Sequence, residues 1–393
     1  MTDLLRTLDD EPDTPSTVDI RRAIAAARRK RALRRGVLGA SAAALTVLAS
    51  AAGFVITKPS AVVPPAVIAT SVPAPSAPAS APRLASCVLS RLPVPGKEPM
   101  ALVSGGDPTG EWIVGRTYPK SGGYQAVIWH DGTVTAVMLP GDLEESLQDV
   151  NPSGTAVGWS YDASGPVPYA YRDGKVTRLA ATGSALAVNE AGRIAGDDGK
   201  GHPVVWESVG SPPVRLGVPA GTADAQARDI DLDGTVVGSL GLEIPYVWMP
   251  DGTHRELPMP EIDGKPAAIA QAFDIRNGWV TGMASTKSLK GSRGTAPVIA
   301  VRWNLRTGVT EVVDGLQYPA DAVNAYGWQI GTDRKGYAVV LTGDDVVRLP
   351  DLASHRQDGT ATIASTVSDD GSIIAGQSDD AGGTIQAVTW RCR

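Results

Sequence analysis

One short pattern recurs seven times along this chain, and it restricts the fold more than any other feature. Each copy is an apolar-polar run ending near Asp/Ala-Val-Asn, two or three turn residues with Gly, and a short strand closing on Val-Gly or Ala-Gly. An aromatic residue, a second turn and a strand ending in Leu follow. The clearest copy runs LQDVNPSGTAVGWS from Leu147 and continues through YAYRDGKVTRL to Leu179. Counted by the glycine that closes the second strand, the copies fall at Gly115, Gly158, Gly196, Gly238, Gly282, Gly331 and Gly376. The gaps of 43, 38, 42, 44, 49 and 45 residues match the length of a four-stranded propeller blade. The spacing therefore predicts an all-β, seven-bladed β-propeller over residues 86–393.

The third-strand landmark is Trp129, Tyr171, Trp206, Trp248, Trp303, Leu341 and Trp390. These residues read as blade core in preference to sugar platforms. Asp131-Gly132, Asp173-Gly174 and Asp251-Gly252 predict tight hairpins before the fourth strand. The last copy stops after its third strand, at Trp390-Arg391-Cys392-Arg393, so its fourth strand must come from elsewhere. Cys87 to Leu92 has the fourth-strand pattern and precedes the first copy. Pairing the two ends would close the ring, remove exposed sheet edges and set Cys87 beside Cys392, the two cysteines of the chain. A disulfide between them is the expectation.

The repeat resembles the bacterial extracellular HAF-type family, whose units carry an A-x-D-I-N-x-x-G-x-x-V-G core and a later Trp-containing strand. Asp149-Val150-Asn151 to Gly158 and Asp229-Ile230-Asp231 to Gly238 fit it best. Asn is replaced by Asp231, Arg276 and Ser368 in three copies, which argues against a shared ligand role for that column. The resemblance implies a secreted or surface propeller and no particular activity. The tail, anchor and spacer ahead of it look like the layout of high-GC actinobacterial surface proteins.

Residues 37–56, VLGASAAALTVLASAAGFVI, hold no charge, and twenty residues at about 1.5 Å each span a bilayer's hydrocarbon. Eight Arg/Lys and no acid occupy residues 20–35 immediately before it. The positive-inside bias then puts residues 1–36 in the cytoplasm as a basic tail and the C-terminal domain outside the cell, the protein being single-pass in the plasma membrane. A cleaved signal peptide with Ala49-Ser50-Ala51 as its site is the competing reading; the long apolar run and the 36-residue tail favour an uncleaved anchor. Residues 57–85, rich in Pro, Ala and Ser, predict a disordered, extended linker.

Charge and motifs narrow the function. Residues 58–393 carry 27 Lys/Arg against 36 Asp/Glu, the reverse of a nucleic-acid-binding domain. Neither G-x-S-x-G nor G-x-x-x-x-G-K-[ST] occurs, and His130, His202, His254 and His355 stand singly, so no cofactor is implied. Asp229, Asp231 and Asp233 form the opening D-x-D-x-D-G of a calcium loop. Its twelfth position is Leu240 where a bidentate acid is needed, and an ordinary turn is the better reading. The fifth repeat carries an insertion with Lys287, Lys290 and Arg293, a loop position suited to ligand binding.

The sum is a membrane-anchored, extracytoplasmic binding or sensing module for a protein or cell-envelope glycan. A carbohydrate-active hydrolase or lyase with channel carboxylates is the alternative, since one sequence does not reveal which acids converge. Signalling through the basic tail is a third option.

Overall fold

The apolar, β-branched runs of each repeat are short and are punctuated by Gly, Asp and Asn, so each repeat forms one antiparallel sheet of four strands. The computed structural model describes residues 83–119, 123–141, 144–163, 165–288, 297–316, 319–343, 345–353 and 362–393. The segments read as tail, membrane helix and most of the linker, residues 1–82, lie outside them, as do Lys290, Arg293 and His355. Among the described residues no helix is long and apolar enough to cross a membrane.

Seven four-stranded sheets result, one per repeat. Blade 1 runs from the axis outward as Ala101–Gly106, Trp112–Thr117, Gln125–His130 and Thr133–Val137. The innermost strands of blades 2 to 6 are Glu145–Val150, Ser184–Val188, Ala225–Ile230, Ile269–Arg276 and Ala322–Val323. Blade 7 takes Thr362–Val367, Ile373–Asp379 and Ile385–Cys392 from the C-terminus and Cys87–Arg91 as its outermost strand. The register pairs Cys87 with Cys392 and Arg91 with Val388, and Cys87 and Cys392 are joined by a disulfide.

The apolar core is not central. It is divided into seven clusters, one between each pair of adjacent blades. Leu147 and Val114 share one between blades 1 and 2, and Ala375 and Trp129 share the one that joins blade 7 back to blade 1. Because every sheet is covered on both faces, the third strands read as nearly continuous apolar runs.

The third-strand tryptophans are core, and each also donates its indole N–H to the segment leaving the preceding blade. Trp206 donates to Ala180 O at 3.0 Å, Trp303 to Pro258 O at 2.8 Å and Trp390 to Pro350 O at 2.8 Å. Trp129 donates to Pro93 O at 2.6 Å, which ties blade 1 to the N-terminal strand of blade 7. In blade 2 the equivalent donor is Tyr169, bonded to Pro140 O at 3.0 Å, two residues before the Tyr171 landmark.

Two of the three expected hairpins have both turn residues at positive φ, Asp131-Gly132 and Asp173-Gly174, as a type I′ turn requires. The third differs: Pro250 precedes Asp251, only Gly252 has positive φ, and Met249 N bonds Thr253 O across a wider loop. A small hairpin, Glu261–Ile262 with Lys265–Pro266, links blades 4 and 5 outside the repeat pattern.

The landmark glycine has a steric cause. In six blades the innermost strand carries a β-bulge, at Val103/Gly105, Leu147/Asp149, Ala185/Ala187, Ala227/Asp229, Ala272/Asp274 and Ala364/Thr366. There a Cβ on the facing glycine would collide with backbone, as at Gly238, where it would lie 1.8 Å from Gln226 O. Gly331, in blade 6, meets only the Leu316 side chain at 3.0 Å. Gly238→Ala should therefore cost about 1–3 kcal/mol and Gly331→Ala clearly less, measured by urea unfolding; equal costs would remove the bulge as the cause.

Candidate functional site

A bulge places two residues of one strand opposite one of its partner, which re-aims the extra side chain. Here all six extra side chains turn toward the axis. They line a channel cavity of about 390 Å³ built from the innermost strands of all seven blades. Ser104, Gln148 and Ser365 make part of this ring polar, and Leu186 and Phe273 make part of it apolar. Arg228 is the sixth, and Asp321 of blade 6 holds the corresponding place without a bulge. The Arg228 guanidinium lies 5.7 Å from the Phe273 ring centre.

Neither charged side chain of the ring has a hydrogen bond or ion pair among the described residues. Burial lowers the pKa of Arg228, and the charge of Asp197 acts against that from a distance. Burial alone raises Asp321 to about 6. Both residues are solvent-exposed within the channel, and the protein packed around them, not enclosure of the side chains themselves, disfavours their charge. The Ser104 Oγ is buried there with no partner.

One residue further along, three carboxyls fasten blades together. Asp149 accepts from Val150 N and, across the interface, from Val188 N, both at 2.8 Å. Asp229 accepts from Ile230 N at 2.8 Å and from Ile275 N of blade 5 at 2.6 Å. Asp274 accepts from Val323 N of blade 6 at 2.6 Å. Burial, then the charge of Asp229, hold Asp149 well above the usual carboxylate range, while the amide donors pull the other way. Asp274 is likewise held well above the usual range, by burial and then by the charge of the neighbouring Asp229 carboxyl, while the Val323 amide pulls the other way.

This geometry has a pH signature. A carboxyl raised in the folded protein contributes stability that is fully present below its unfolded pKa of about 3.9 and is lost as pH rises through the folded value. The unfolding free energy should thus fall as pH rises from about 4, with the Asp321 share lost by about pH 6. Asp198 and Asp370 are lowered, burial being outweighed by their hydrogen bonds, and they act below that window. Asp274→Asn keeps a neutral donor and acceptor in place, so its urea-unfolding profile between pH 4 and 8 should be flatter than that of the parent. Parallel profiles would remove Asp274 as a source of the pH dependence.

At the mouth, where the innermost strands end, Arg276 of blade 5 reaches two other blades. It makes a bidentate pair with Asp369 of blade 7, at 2.8 and 2.6 Å, and a bond to Glu190 of blade 3 at 2.5 Å. Burial disfavours its charge, and the two carboxylates more than offset that, so its pKa lies above the ordinary value. Around it the Asn column closes turns and ties blades: Asn151 Nδ2 donates to Asn189 O, and Asn189 Nδ2 to Asp231 O.

The three acids of the calcium-like stretch diverge. Asp229 faces the channel. Asp231 accepts from Leu232 N, Asn277 N and Gly278 N, which locks it onto the blade 5 turn. Asp233 accepts from Thr235 N within its own turn. Among the described residues no group of three His, Cys, Asp or Glu side chains is placed to hold a metal ion. Of the insertion residues, Lys287 is described, with its backbone N–H on Ser285 Oγ. His130 stacks on Trp112, His202 pairs with Asp198 and His254 bonds the Tyr246 hydroxyl.

The bulge ring escaped the sequence reading because its members share no chemistry. Their one common signal is position, immediately before the Asp149, Asp229 and Asp274 column.

No family model matches the chain, and no curated protein does; the HAF-type resemblance rests on its motif residues. Solved structures similar to it share little sequence. A chain of the mitotic checkpoint complex is 13% identical over 83% of this chain and 98% of its own, with a TM-score of 0.44. A gluconolactonase from Xanthomonas campestris is 13% identical over 79% of this chain and 91% of its own, with a TM-score of 0.39. An oligogalacturonate lyase from Vibrio parahaemolyticus is 10% identical over 79% of this chain and 98% of its own, with a TM-score of 0.45. By its own sheets and register the chain is a seven-bladed β-propeller closed by a disulfide between its first and last strands, a fold that by itself names no function.

Proposed function

We propose that this protein is a single-pass, membrane-anchored module whose propeller stands outside the cytoplasmic membrane and binds or senses a cell-envelope or protein ligand in its central channel. One observation carries the reading: a ring of axial side chains in which Arg228 and Asp321 are charged, solvent-accessible and unpaired among the described residues. The remaining channel acids are committed to backbone amides or to Arg276. Groups held so firmly build a rigid, preorganised pocket. The uncharged stretch at 37–56 with its basic flank supports the anchor.

Two measurements test this. A membrane-impermeant amine reagent applied to intact cells should label the propeller lysines; labelling only after lysis would place the domain inside. The full chain in detergent should retain an envelope component that an Arg228→Ala/Asp321→Asn variant of equal melting temperature loses. Equal retention would move binding away from the channel.

Asp321 also favours a second reading, a hydrolase or lyase acting on envelope carbohydrate. A carboxyl near 6 can take or give a proton at neutral pH. Turnover of wall glycan by the full chain, abolished by Asp321→Asn, is the expected result; turnover indifferent to Asp321→Asn would end that assignment.

A further inference from the structure

We propose that the bulge ring is a site for a small organic monocarboxylate, with Arg228 taking the carboxylate, Phe273 the adjoining carbon skeleton, and Asp321 the ligand's hydroxyl or ammonium donors. It rests on the reading of the channel as the binding site and adds the chemical class of the ligand.

The assignment follows from which charges are already used. Arg276 is saturated by Glu190 and Asp369. Asp149, Asp229 and Asp274 each accept a backbone N–H from the next blade. Arg228 is left as a solvent-exposed channel cation with no ion pair among the described residues, so its charge is open to a ligand. Its planar fork is shaped for bidentate contact with a carboxylate. Stacking on Phe273 at 5.7 Å holds the guanidinium beside an apolar surface.

Size and sign exclude the competing ligands. A cavity of about 390 Å³ is of small-molecule dimensions. A free cation would face Arg228, and every channel acid except Asp321 is already occupied. A phosphate dianion would face Asp149, Glu190, Asp229, Asp274, Asp321 and Asp369 with one unpaired arginine in return. A single negative charge flanked by hydrogen-bond donors suits the ring. Asp321 is the acceptor for those donors.

Two sources supply that chemistry, sugar acids and amino acids, and titration calorimetry on the full chain in detergent separates them. D-glucuronate and D-alanine are the probes, with D-glucose and inorganic phosphate as the neutral and dianionic controls. At least one carboxylate should bind while glucose and phosphate do not, and Arg228→Gln should weaken it by about tenfold or more, as loss of a charge-assisted bidentate contact implies. Asp321→Asn should weaken D-alanine more than D-glucuronate if the ammonium is what it meets. Variants are compared at matched melting temperature, so misfolding is scored separately. Silence of both carboxylates, binding of glucose equal to glucuronate, or an Arg228→Gln protein that binds as the parent does would each overturn the monocarboxylate site. If an envelope component is still lost on changing Arg228 and Asp321, the channel survives as the binding site and only the ligand class falls.

Discussion

Replacing Cys87 and Cys392 with serine should lower the unfolding free energy by up to about 5 kcal/mol, the loop-entropy value for a link of this length, and depress the melting temperature by about 10 °C. The bond joins residues 305 apart, so it removes an unusually large set of open conformations from the unfolded chain. It also sits where the ring is most vulnerable. Every other blade is a continuous meander, whereas blade 7 is assembled from both ends of the array. Without the bond, the closure depends on the five paired residues Cys87–Arg91 and on Trp129 reaching Pro93 O. Calorimetry of the full chain with and without reductant tests this, and a melting temperature unmoved by reduction would assign closure to strand pairing alone.

Trp303→Ala should cost about 3–5 kcal/mol, the range for deleting a buried indole. The ring is 1% exposed and packs with Val237 and Val247 of blade 4 and Val280 and Val301 of its own blade. Its removal empties one blade interface and strands the Pro258 carbonyl that its Nε1–H meets. Trp303→Phe separates the two contributions: it fills most of the cavity and loses only the bond, which implies about 1 kcal/mol. Leu341 at the same position of blade 6 is packed but has no donor, so Leu341→Ala should resemble the cavity part alone. Denaturant unfolding of the three variants decides it; a Trp303→Phe protein as unstable as Trp303→Ala would show that the bond, not the packing, dominates.

Part of this was legible in the residues because it depends on local rules repeated seven times. Strand runs, turn glycines and the period of the closing glycine each follow from backbone sterics that act within one blade. The missing fourth strand at Trp390 and the spare one at Cys87 turn that count into a closed ring with paired cysteines, since an unpaired edge is the costly alternative.

The channel was settled otherwise. Ser104, Gln148, Leu186, Arg228, Phe273 and Ser365 meet only because six bulges, each local to its own strand, are brought to one axis by contacts between blades. Arg276, which reads as a lapse in an Asn column, finds Glu190 and Asp369 on blades two places away on either side. The number of blades, their strand order and the way the ends join can be read from the residues, because these follow from short-range pattern and edge pairing. Which side chains share the axis, and which charges stay unpaired there, is set by packing between blades, because it depends on contacts between residues 39 to 93 apart in the chain, and no local propensity encodes them.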